Sequence, residues 1–181
     1  MGQDIAIQID DLRQRKPAAC QQLLANYGPM VFRTVQRIVP QRMDAEEIYQ
    51  DVFVKALRGI GSFDARKSSL ATWLCRIAYN ESLNFVRGRK PDILSIDDRD
   101  WEVEAVDAPD DALQDEQLIR QLERALSMLP AREQAVISMF YYDNMSLADI
   151  AFVIGSVPST VGSRLSRIRK KFYRIIKHLP Q

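Results

Sequence analysis

Residue types that perform covalent chemistry are sparse in this chain of 181 residues. His178 is its one histidine, and Cys20 and Cys75 both lie in helical patterns that need no disulfide. The chain shows no glycine-rich phosphate loop, no Cys/His cluster with metal-ligand spacing and no nucleophile beside a base. We therefore expect no catalytic residue, no metal site and no cofactor, which leaves non-covalent binding as the chemistry to look for.

Binding chemistry is concentrated between Ser146 and Lys171. Apolar residues recur at helical spacing on both sides of Gly155, and the second segment opens at Pro158. Ser146 stands where an N-cap belongs, so the stretch is typical of a helix-turn-helix. If Val161, Leu165 and Ile168 turn inward, the opposite face of the second helix carries Ser159, Thr160, Ser163, Arg164, Arg167, Lys170 and Lys171.

The charge of this second helix favours DNA over plain solvent. No acid follows Asp149, whereas seven Lys or Arg do. A solvated polar face on a packing helix is the alternative, but such faces usually mix both signs of charge. Phosphate oxygens and base edges are what hydroxyl, Arg and Lys side chains bind on DNA. The pattern therefore predicts a DNA contact.

The distribution of charge divides the rest of the chain. Residues 1–90 carry 14 basic and 9 acidic side chains, residues 91–116 carry eight Asp and three Glu against Arg99, and residues 117–181 carry 10 basic and 4 acidic side chains. The acidic stretch has little periodicity, and its self-repulsion favours an extended chain. We interpret residues 92–115 as a flexible acidic linker between an N-terminal domain, 1–91, and a C-terminal domain, 116–181.

The N-terminal domain shows only helical patterns. Pro17 is placed to open a helix, and Gly28 with Pro29 predicts its end and the start of another. Two helical hairpins leave no room for strands, so the predicted fold class is all-α, with a helical bundle followed by the helix-turn-helix domain. The chain has no apolar run near the ~20 residues of a membrane span and no leader pattern, so we expect a cytoplasmic protein without membrane insertion.

A third helix of this domain has an unusual outer face. Asp44 and Glu47 form the pattern of a capping box, and Gly59 and Gly61 predict the helix end. An acidic patch beside exposed apolar residues favours a protein partner, because DNA would repel it. Ordinary solvated acids at a helix start are the alternative. The residues of this face are Glu47, Gln50, Asp51, Phe53 and Val54.

The segment that follows has the side chains that hold unstacked bases. A loop rich in Ser and Lys leads into a long helix with amide side chains mid-helix and a basic end. Trp73 and Tyr79 in that helix are better interpreted as core residues. The predicted nucleic-acid contacts are Phe63, Lys67, Ser68, Asn80, Asn84, Arg87, Arg89 and Lys90.

Five motifs in order make the chain resemble a known family. They are DAEEIYQDVFVKAL, SF, SSLATWLCRIAYN, LSMLPAREQAVISMFYYDNMSLADIA and STVGSRLSRIRKKF, with the acidic stretch before the fourth. Together they resemble an extracytoplasmic function (ECF) sigma factor of bacterial RNA polymerase. The resemblance covers almost the whole chain apart from about the first 15 residues and the linker interior.

The resemblance implies a transcription initiation factor that binds core RNA polymerase, directs it to promoters and helps melt the minus-10 DNA. Gln50, Asp51 and Phe53 match the surface for the β′ clamp helices, and the β flap is a further implied contact. The loop 62–70 and Asn80 match the segment that captures a flipped minus-10 base. The helix with Thr160, Ser163, Arg164 and Arg167 matches the reader of the minus-35 element.

Two further points follow from the resemblance. Gly162 stands where the family usually has a long side chain, which puts the exact minus-35 preference in question. An anti-sigma factor is an implied partner, besides core polymerase and promoter DNA. From charge alone, the acidic linker is also a candidate for folding back on the two basic domains.

Two other classes of protein remain open. One is a helix-turn-helix regulator that acts without core polymerase, although the N-terminal half shows no ligand-domain pattern of alternating strands and helices. The other is a purely helical interaction protein, which leaves the acid-free basic helix unexplained. Binding to core polymerase with and without promoter DNA distinguishes the three.

Overall fold

The computed structural model describes residues 9–89 and 115–178. Within them the chain forms α-helices and one short 3-10 helix, and these described residues contain no strand, as the all-α prediction requires. In order the helices are α1 (Ile9–Arg13), α2 (Pro17–Ile38), α3 (Arg42–Gly59), the 3-10 helix Ile60–Ser62, α4 (Leu70–Arg89), α5 (Asp115–Ser127), α6 (Ala131–Tyr141), α7 (Leu147–Ile154) and α8 (Pro158–His178).

The long helix α2 opens at Pro17, as predicted, but the prediction of a break at Gly28 and Pro29 is wrong. The helix runs through Pro29, which removes one backbone hydrogen bond at a usual cost of about 3 kcal/mol. Burial of an unbroken apolar face on both sides of Pro29, from Leu23 to Val35, offsets that cost. Gly28 serves packing instead, because a Cβ there would lie 2.7 Å from the Tyr49 hydroxyl oxygen.

Helix α3 begins two residues before the predicted capping box. Its N-cap is Gln41, whose side chain makes no capping hydrogen bond, so Asp44 lies inside the first turn. An ion pair of 2.9 Å between Arg42 and Glu46 supports the earlier start. The predicted end at Gly59 is confirmed, and the Ser62 hydroxyl donates a 2.7 Å hydrogen bond to the Gly59 carbonyl.

The helix-turn-helix forms as predicted. The Ser146 hydroxyl accepts a 3.1 Å hydrogen bond from the Asp149 amide and so caps α7. Gly155 ends α7 in the left-handed conformation, with φ of 70°. Pro158 is the first residue of α8, where its missing N–H costs nothing.

The two predicted domains pack against each other. Helix α4 lies against α7, and α2 lies against α6, so that one hydrophobic cluster runs through both halves. Its most deeply buried large side chains are Leu12, Leu23, Ile38, Leu74, Met139, Ile150, Leu165 and Ile168. The predicted linker, apart from its last residue, lies outside the described residues. In the part of the chain that the structure describes, no helix is long and apolar enough to cross a membrane.

Candidate nucleic-acid interface

The predicted DNA-facing side of α8 is exposed because the other side of the helix is buried. Val161, Leu165 and Ile168 are buried, which turns the intervening polar residues outward. We call the predicted set the recognition face. Its exposed members are Ser159, Thr160, Ser163, Arg167, Lys170 and Lys171, whereas Arg164 is half-buried.

Contacts with α6 hold α8 in place. The Lys171 ammonium lies 3.1 Å from the Glu133 carboxylate, so this member of the recognition face is partly occupied. Arg169, which the sequence did not single out, lies over the rings of Phe140 and Tyr141, at 5.5 and 5.6 Å from their centroids. These contacts orient the recognition face relative to the rest of the C-terminal half.

The position of Gly162 has a packing explanation. A Cβ at Gly162 would lie 3.7 Å from the Leu147 side chain of α7, at ordinary contact distance. Residue 162 therefore faces the first helix of the helix-turn-helix. Which residue is tolerated at position 162 therefore depends on helix propensity and on this contact, and not on DNA alone.

Most of the predicted single-strand contacts are accessible. We call residues 62–84 the capture segment. Lys67, Asn80 and Asn84 are exposed, Ser68 is half-buried, and Arg87 is exposed beyond the segment on the next turn of α4. Arg89 is the last residue of α4 and its side chain is not described, whereas Lys90 lies outside the described residues.

Phe63 departs from its predicted role. Its ring is only 7% exposed and packs on Trp73, with ring centroids 5.5 Å apart. A base needs an accessible aromatic face for stacking. In this conformation Phe63 is a core residue that fixes the loop, and the polar side chains supply the accessible contacts.

The predicted polymerase surface on α3 is partly corrected. Glu47, Gln50 and Asp51 are exposed, and we call these three residues the clamp face. Phe53 was expected beside them but is 5% exposed, because its ring packs edge-on against Tyr49 at 5.1 Å. Val54, 45% exposed, supplies the apolar surface instead.

Helix starts from the two halves meet at the capture segment. The Thr72 hydroxyl of α4 donates a 3.0 Å hydrogen bond to the Asp149 carboxylate of α7. One turn further along α4, the Arg76 guanidinium lies 4.6 Å from the centroid of the Phe152 ring. Sequence reasoning missed these residues, and the S-x-x-T and S-x-x-D caps were the one signal that marked both helix starts.

A second set of contacts joins α2 to the C-terminal half. The Arg33 guanidinium bonds the Asp143 carboxylate, with its nearer nitrogen at 2.8 Å. Arg37 makes a two-pronged contact with Glu123, at 2.9 and 3.1 Å, and lies 5.6 Å from the centroid of the Tyr142 ring. Bidentate pairs of this kind are geometrically specific.

The carboxyl groups in these pairs titrate differently. Hydrogen bonding from Arg37 lowers the pKa of Glu123, because it stabilises the charged form. Burial raises the pKa of Asp143 in spite of Arg33, since its side chain is only 3% exposed. Asp143 Oδ2 has no hydrogen-bond partner among the described residues, which agrees with burial outweighing the ion pair with Arg33.

Two buried groups on α4 also have shifted pKa values. Burial raises the pKa of Tyr79, while the positive charges of Arg132, Arg164 and Arg87 act to lower it. Burial raises the pKa of the Cys75 thiol to about 12, although a hydrogen bond with Thr34 opposes the shift. Cys75 is therefore a packed thiol and not a nucleophile. The described residues hold no group of three His, Cys, Asp or Glu that could bind a metal ion.

Comparison with known proteins identifies the family of this chain. Residues 23–91 match the Sigma-70 region 2 family, and residues 119–172 match the Sigma-70 region 4 family. The ECF RNA polymerase sigma-E factor of Haemophilus influenzae is 30% identical over 180 residues, covering 94% of each chain. The sigma-E factor of Escherichia coli is 30% identical over 157 residues, covering 82% of this chain and 81% of that protein.

Solved structures show the same arrangement of helices. The Bartonella quintana sigma factor RpoE, in complex with the anti-sigma factor NepR, is 26% identical with a TM-score of 0.65, covering 88% of this chain and 98% of that one. CnrH, in complex with the cytosolic domain of CnrY, has a TM-score of 0.67 at 20% identity, covering 93% and 94%, and shows the fold alone. The chain therefore belongs to the family of ECF RNA polymerase sigma factors, and it is a transcription initiation factor that binds core polymerase and selects promoters.

Proposed function

We propose that three surfaces divide the work of initiation. The recognition face of α8 reads the minus-35 element, the capture segment with Arg87 holds an unpaired minus-10 base and its backbone, and the clamp face of α3 binds the β′ clamp helices. The observation that carries this assignment is that the two signs of charge lie on different helices. The exposed acidic side chains of the clamp face are on α3, and the exposed basic side chains of the recognition face are on α8. Phosphates attract the second surface and repel the first.

Promoter melting then needs binding energy and no covalent step. Unpairing a base costs a few kcal/mol. Hydrogen bonds from the exposed polar side chains to the captured base return about 0.5 to 1.5 kcal/mol each, and polymerase contacts add the rest. The exposed amides of Asn80 and Asn84, one helical turn apart on α4, suit hydrogen bonding to a base edge. The protein acts as a non-enzymatic factor.

The division into an N-terminal domain, 1–91, and a C-terminal domain, 116–181, is part of the proposal. The first would bind the clamp and the minus-10 strand, and the second the minus-35 duplex and the β flap. An anti-sigma factor is the regulatory partner we infer, because the similar sigma factor RpoE of Bartonella quintana is in complex with the anti-sigma factor NepR. A cytoplasmic location follows from this role in transcription.

The decisive experiment tests strand capture in the reconstituted holoenzyme. Asn80→Ala should leave closed promoter binding unchanged and slow promoter opening, which permanganate reactivity of unpaired thymines reports. Asn26→Ala, at an exposed position of α2, is the matched control. Normal opening kinetics for Asn80→Ala would refute the capture assignment. A parallel loss of thermal stability would mean that Asn80 acts in packing.

A second experiment tests the clamp face. Asp51→Lys should weaken binding to core polymerase, because it places a positive charge on an acidic contact surface. Asp10→Lys makes the same charge change at an exposed residue of α1 and should bind normally. Equal core affinity of both variants would contradict the assignment.

The same titrations address the two other classes of protein. A regulator that acts without polymerase would bind promoter DNA alone, and a purely helical interaction protein would bind core polymerase with no effect of DNA. We expect promoter binding that requires both components.

A further inference from the structure

We propose that Arg87, Arg132 and Arg164 form a binding site for a small polyphosphate, inorganic or carried by a nucleotide, in the free protein. Their guanidinium groups come from three helices, α4, α6 and α8, and lie near Tyr79 of α4. The consequence for promoter binding rests on the proposed function, because Arg87 and Arg164 belong to surfaces that we propose bind DNA. The site itself does not depend on that assignment.

Packing of the helices brings the three arginines towards one place. Helices α6 and α7 both pack on α8, and α4 packs on α7. The 3.1 Å ion pair between Lys171 and Glu133 fixes the first turn of α6 beside α8. Arg164 precedes Lys171 by two helical turns, so the two residues lie on the same side of α8. Arg132, next to Glu133, is therefore held close to that side.

Arg132 has a donor atom that the protein leaves unused. Its Nε is buried and has no hydrogen-bond partner among the described residues. Burial of an unsatisfied donor is costly, and most buried donors in native structures have a partner. Glu133, the neighbouring acid, is already paired with Lys171. The Arg132 side chain as a whole is half-buried, so a rotation of its guanidinium would let Nε and a terminal nitrogen bind one phosphate.

Tyr79 reports the combined charge of the three arginines. Burial raises the pKa of Tyr79, whereas the charges of Arg132, Arg164 and Arg87 act to lower it. These arginines make no ion pair with an acid in the part of the chain that the structure describes. The surroundings of the Tyr79 hydroxyl therefore carry positive charge that no acidic side chain balances.

The shape and charge of this place favour a small polyphosphate over DNA. Tyr79 is 5% exposed, so a double helix cannot reach its hydroxyl, whereas a small ligand can. A polyphosphate concentrates several negative charges on one compact molecule. Each guanidinium can donate two parallel hydrogen bonds to phosphate oxygens, and the Tyr79 hydroxyl can donate one more.

A bound polyphosphate would compete with promoter DNA. It would occupy Arg87 and Arg164, one from each of the two surfaces that we propose bind DNA. Because the three arginines belong to both halves of the chain, the ligand binds the packed arrangement seen in this structure. By mass action, it should also raise the thermal stability of the free chain.

Calorimetric titration of the full chain with pyrophosphate tests the site. The ionic strength is held constant, because salt screens such contacts. The wild type should show saturable binding at a single site. Arg132→Gln should weaken pyrophosphate binding by about tenfold or more, since it removes the charge and the paired donors. Arg124→Gln makes the same change at an exposed position of α5 and should bind normally.

Two further variants keep the test valid if Arg132→Gln fails to fold, which thermal unfolding without ligand would reveal. Arg132→Lys retains the charge and loses the planar set of donors, so it should bind with intermediate affinity. Tyr79→Phe retains the ring and loses the hydroxyl, so it should weaken binding by about fivefold.

A second titration identifies the source of the phosphate. Tighter binding of a nucleoside triphosphate than of pyrophosphate, again weakened by Arg132→Gln, would support the site and identify a nucleotide as its ligand. Equal affinity for the two would support recognition of the phosphate groups alone.

Absence of saturable pyrophosphate binding by the wild type, or an equal loss in Arg124→Gln, would overturn the inference. Binding of a promoter duplex that weakens in Arg132→Gln but that pyrophosphate does not displace would also overturn it, because the arginines would then be DNA contacts only. Failure of the proposed capture role is distinguishable, since it would appear as normal promoter opening by the Asn80→Ala holoenzyme. The pyrophosphate titration contains neither polymerase nor promoter.

Discussion

The Thr72 hydroxyl and the Asp149 carboxylate, 77 positions apart in the chain, meet at 3.0 Å and join the start of the capture helix to the start of the helix-turn-helix. Each residue also belongs to the cap of its own helix, since the Thr72 and Asp149 amides bond Ser69 and Ser146. Local capping therefore prearranges both side chains for the long-range contact. That arrangement lets two small helical units form one folded body.

Thr72→Val should destabilise this body with little change in shape. The substitution removes a buried hydroxyl that donates to a carboxylate, a hydrogen bond worth about 1.5 to 3 kcal/mol. Denaturant unfolding of the free chain should show a loss within that range. Thr72→Ser keeps the hydroxyl and should lose clearly less. Equal losses for the two variants would indicate that the methyl group, and not the hydrogen bond, matters at this position.

The two cysteines should differ in reactivity. Cys75 is buried with a pKa raised to about 12, whereas Cys20 is partly accessible. At neutral pH, alkylation followed by mass spectrometry should modify Cys20 in the native protein and Cys75 only after unfolding. Rapid native modification of Cys75 in a Cys20→Ser background would contradict the packed environment.

Burial of Cys75 also predicts loss of stability in alkali. Its ordinary pKa is 9.0, so above that pH the unfolded chain loses the thiol proton while the folded chain keeps it. The free energy of unfolding should therefore fall as pH rises from about 9 towards 12. Cys75→Ala removes this titration and should flatten the alkaline decline relative to the wild type. Parallel declines in the two proteins would rule out a contribution from Cys75.

The Arg37–Glu123 pair should stabilise the protein only above acidic pH. Arg37 lowers the pKa of Glu123 from its ordinary 4.5, so the contribution is present above that pH and is lost as pH falls through the folded-state value. Because the carboxylate is half-exposed, the difference from Glu123→Gln should be only about 0.2 to 1 kcal/mol at pH 7. It should vanish in acid. A difference that grows on acidification would contradict the sign.

Asp143 is expected to behave in the opposite way. Burial raises the pKa of Asp143 above the ordinary 3.8, so the folded state holds the proton more tightly than the unfolded chain does. The contribution of Asp143 to the free energy of unfolding therefore falls as pH rises from 3.8 through the folded-state pKa. The comparison with Glu123→Gln is therefore made between two proteins that both retain Asp143, which cancels its effect.

Two glycines of the helix-turn-helix should respond to alanine with opposite signs. Gly155 has a φ of 70°, where a Cβ costs roughly 1 to 2 kcal/mol, so Gly155→Ala should destabilise the fold by about that much. Gly162 is inside α8 with room for a methyl group, so Gly162→Ala should stabilise it by up to about 1 kcal/mol. Unfolding in urea compares both with the wild type. Loss of stability in both would mean that the contact with Leu147 is too tight.

Local signals explain what the sequence predicted well. Ser146, Gly155 and Pro158 each act through their own backbone, so the caps and the turn of the helix-turn-helix follow from residue type and position. The inward set of α8 follows from spacing alone. The continuity of α2 through Pro29 was not predictable in this way, because burial against other helices outweighs the local preference to break.

Tertiary packing also explains the misplaced aromatics. Phe53 lies at the edge of the inward side of α3, and Phe63 lies in the loop before α4, so spacing leaves both side-chain directions open. Each ring packs on an aromatic partner, Tyr49 for Phe53 and Trp73 for Phe63. The docking of the two halves has no sequence pattern at all. It depends on pairs such as Arg33 and Asp143, 110 positions apart, whose complementarity appears only in the folded chain.

Arg167 should contribute directly to promoter affinity. It is exposed on the recognition face of α8, beyond the buried Leu165 that sets its direction. Arg167→Ala should weaken holoenzyme binding to minus-35 DNA by about 1 to 3 kcal/mol and relax specificity at one base pair if it reads a base edge. If it contacts phosphate, the loss should be uniform across sequences and the salt dependence should fall by about one unit of slope.

Arg174→Ala, which changes an exposed arginine two turns further along α8, is the control and should bind normally. Core affinity should be unchanged in both variants. Wild-type promoter binding by Arg167→Ala would remove this residue from the recognition face.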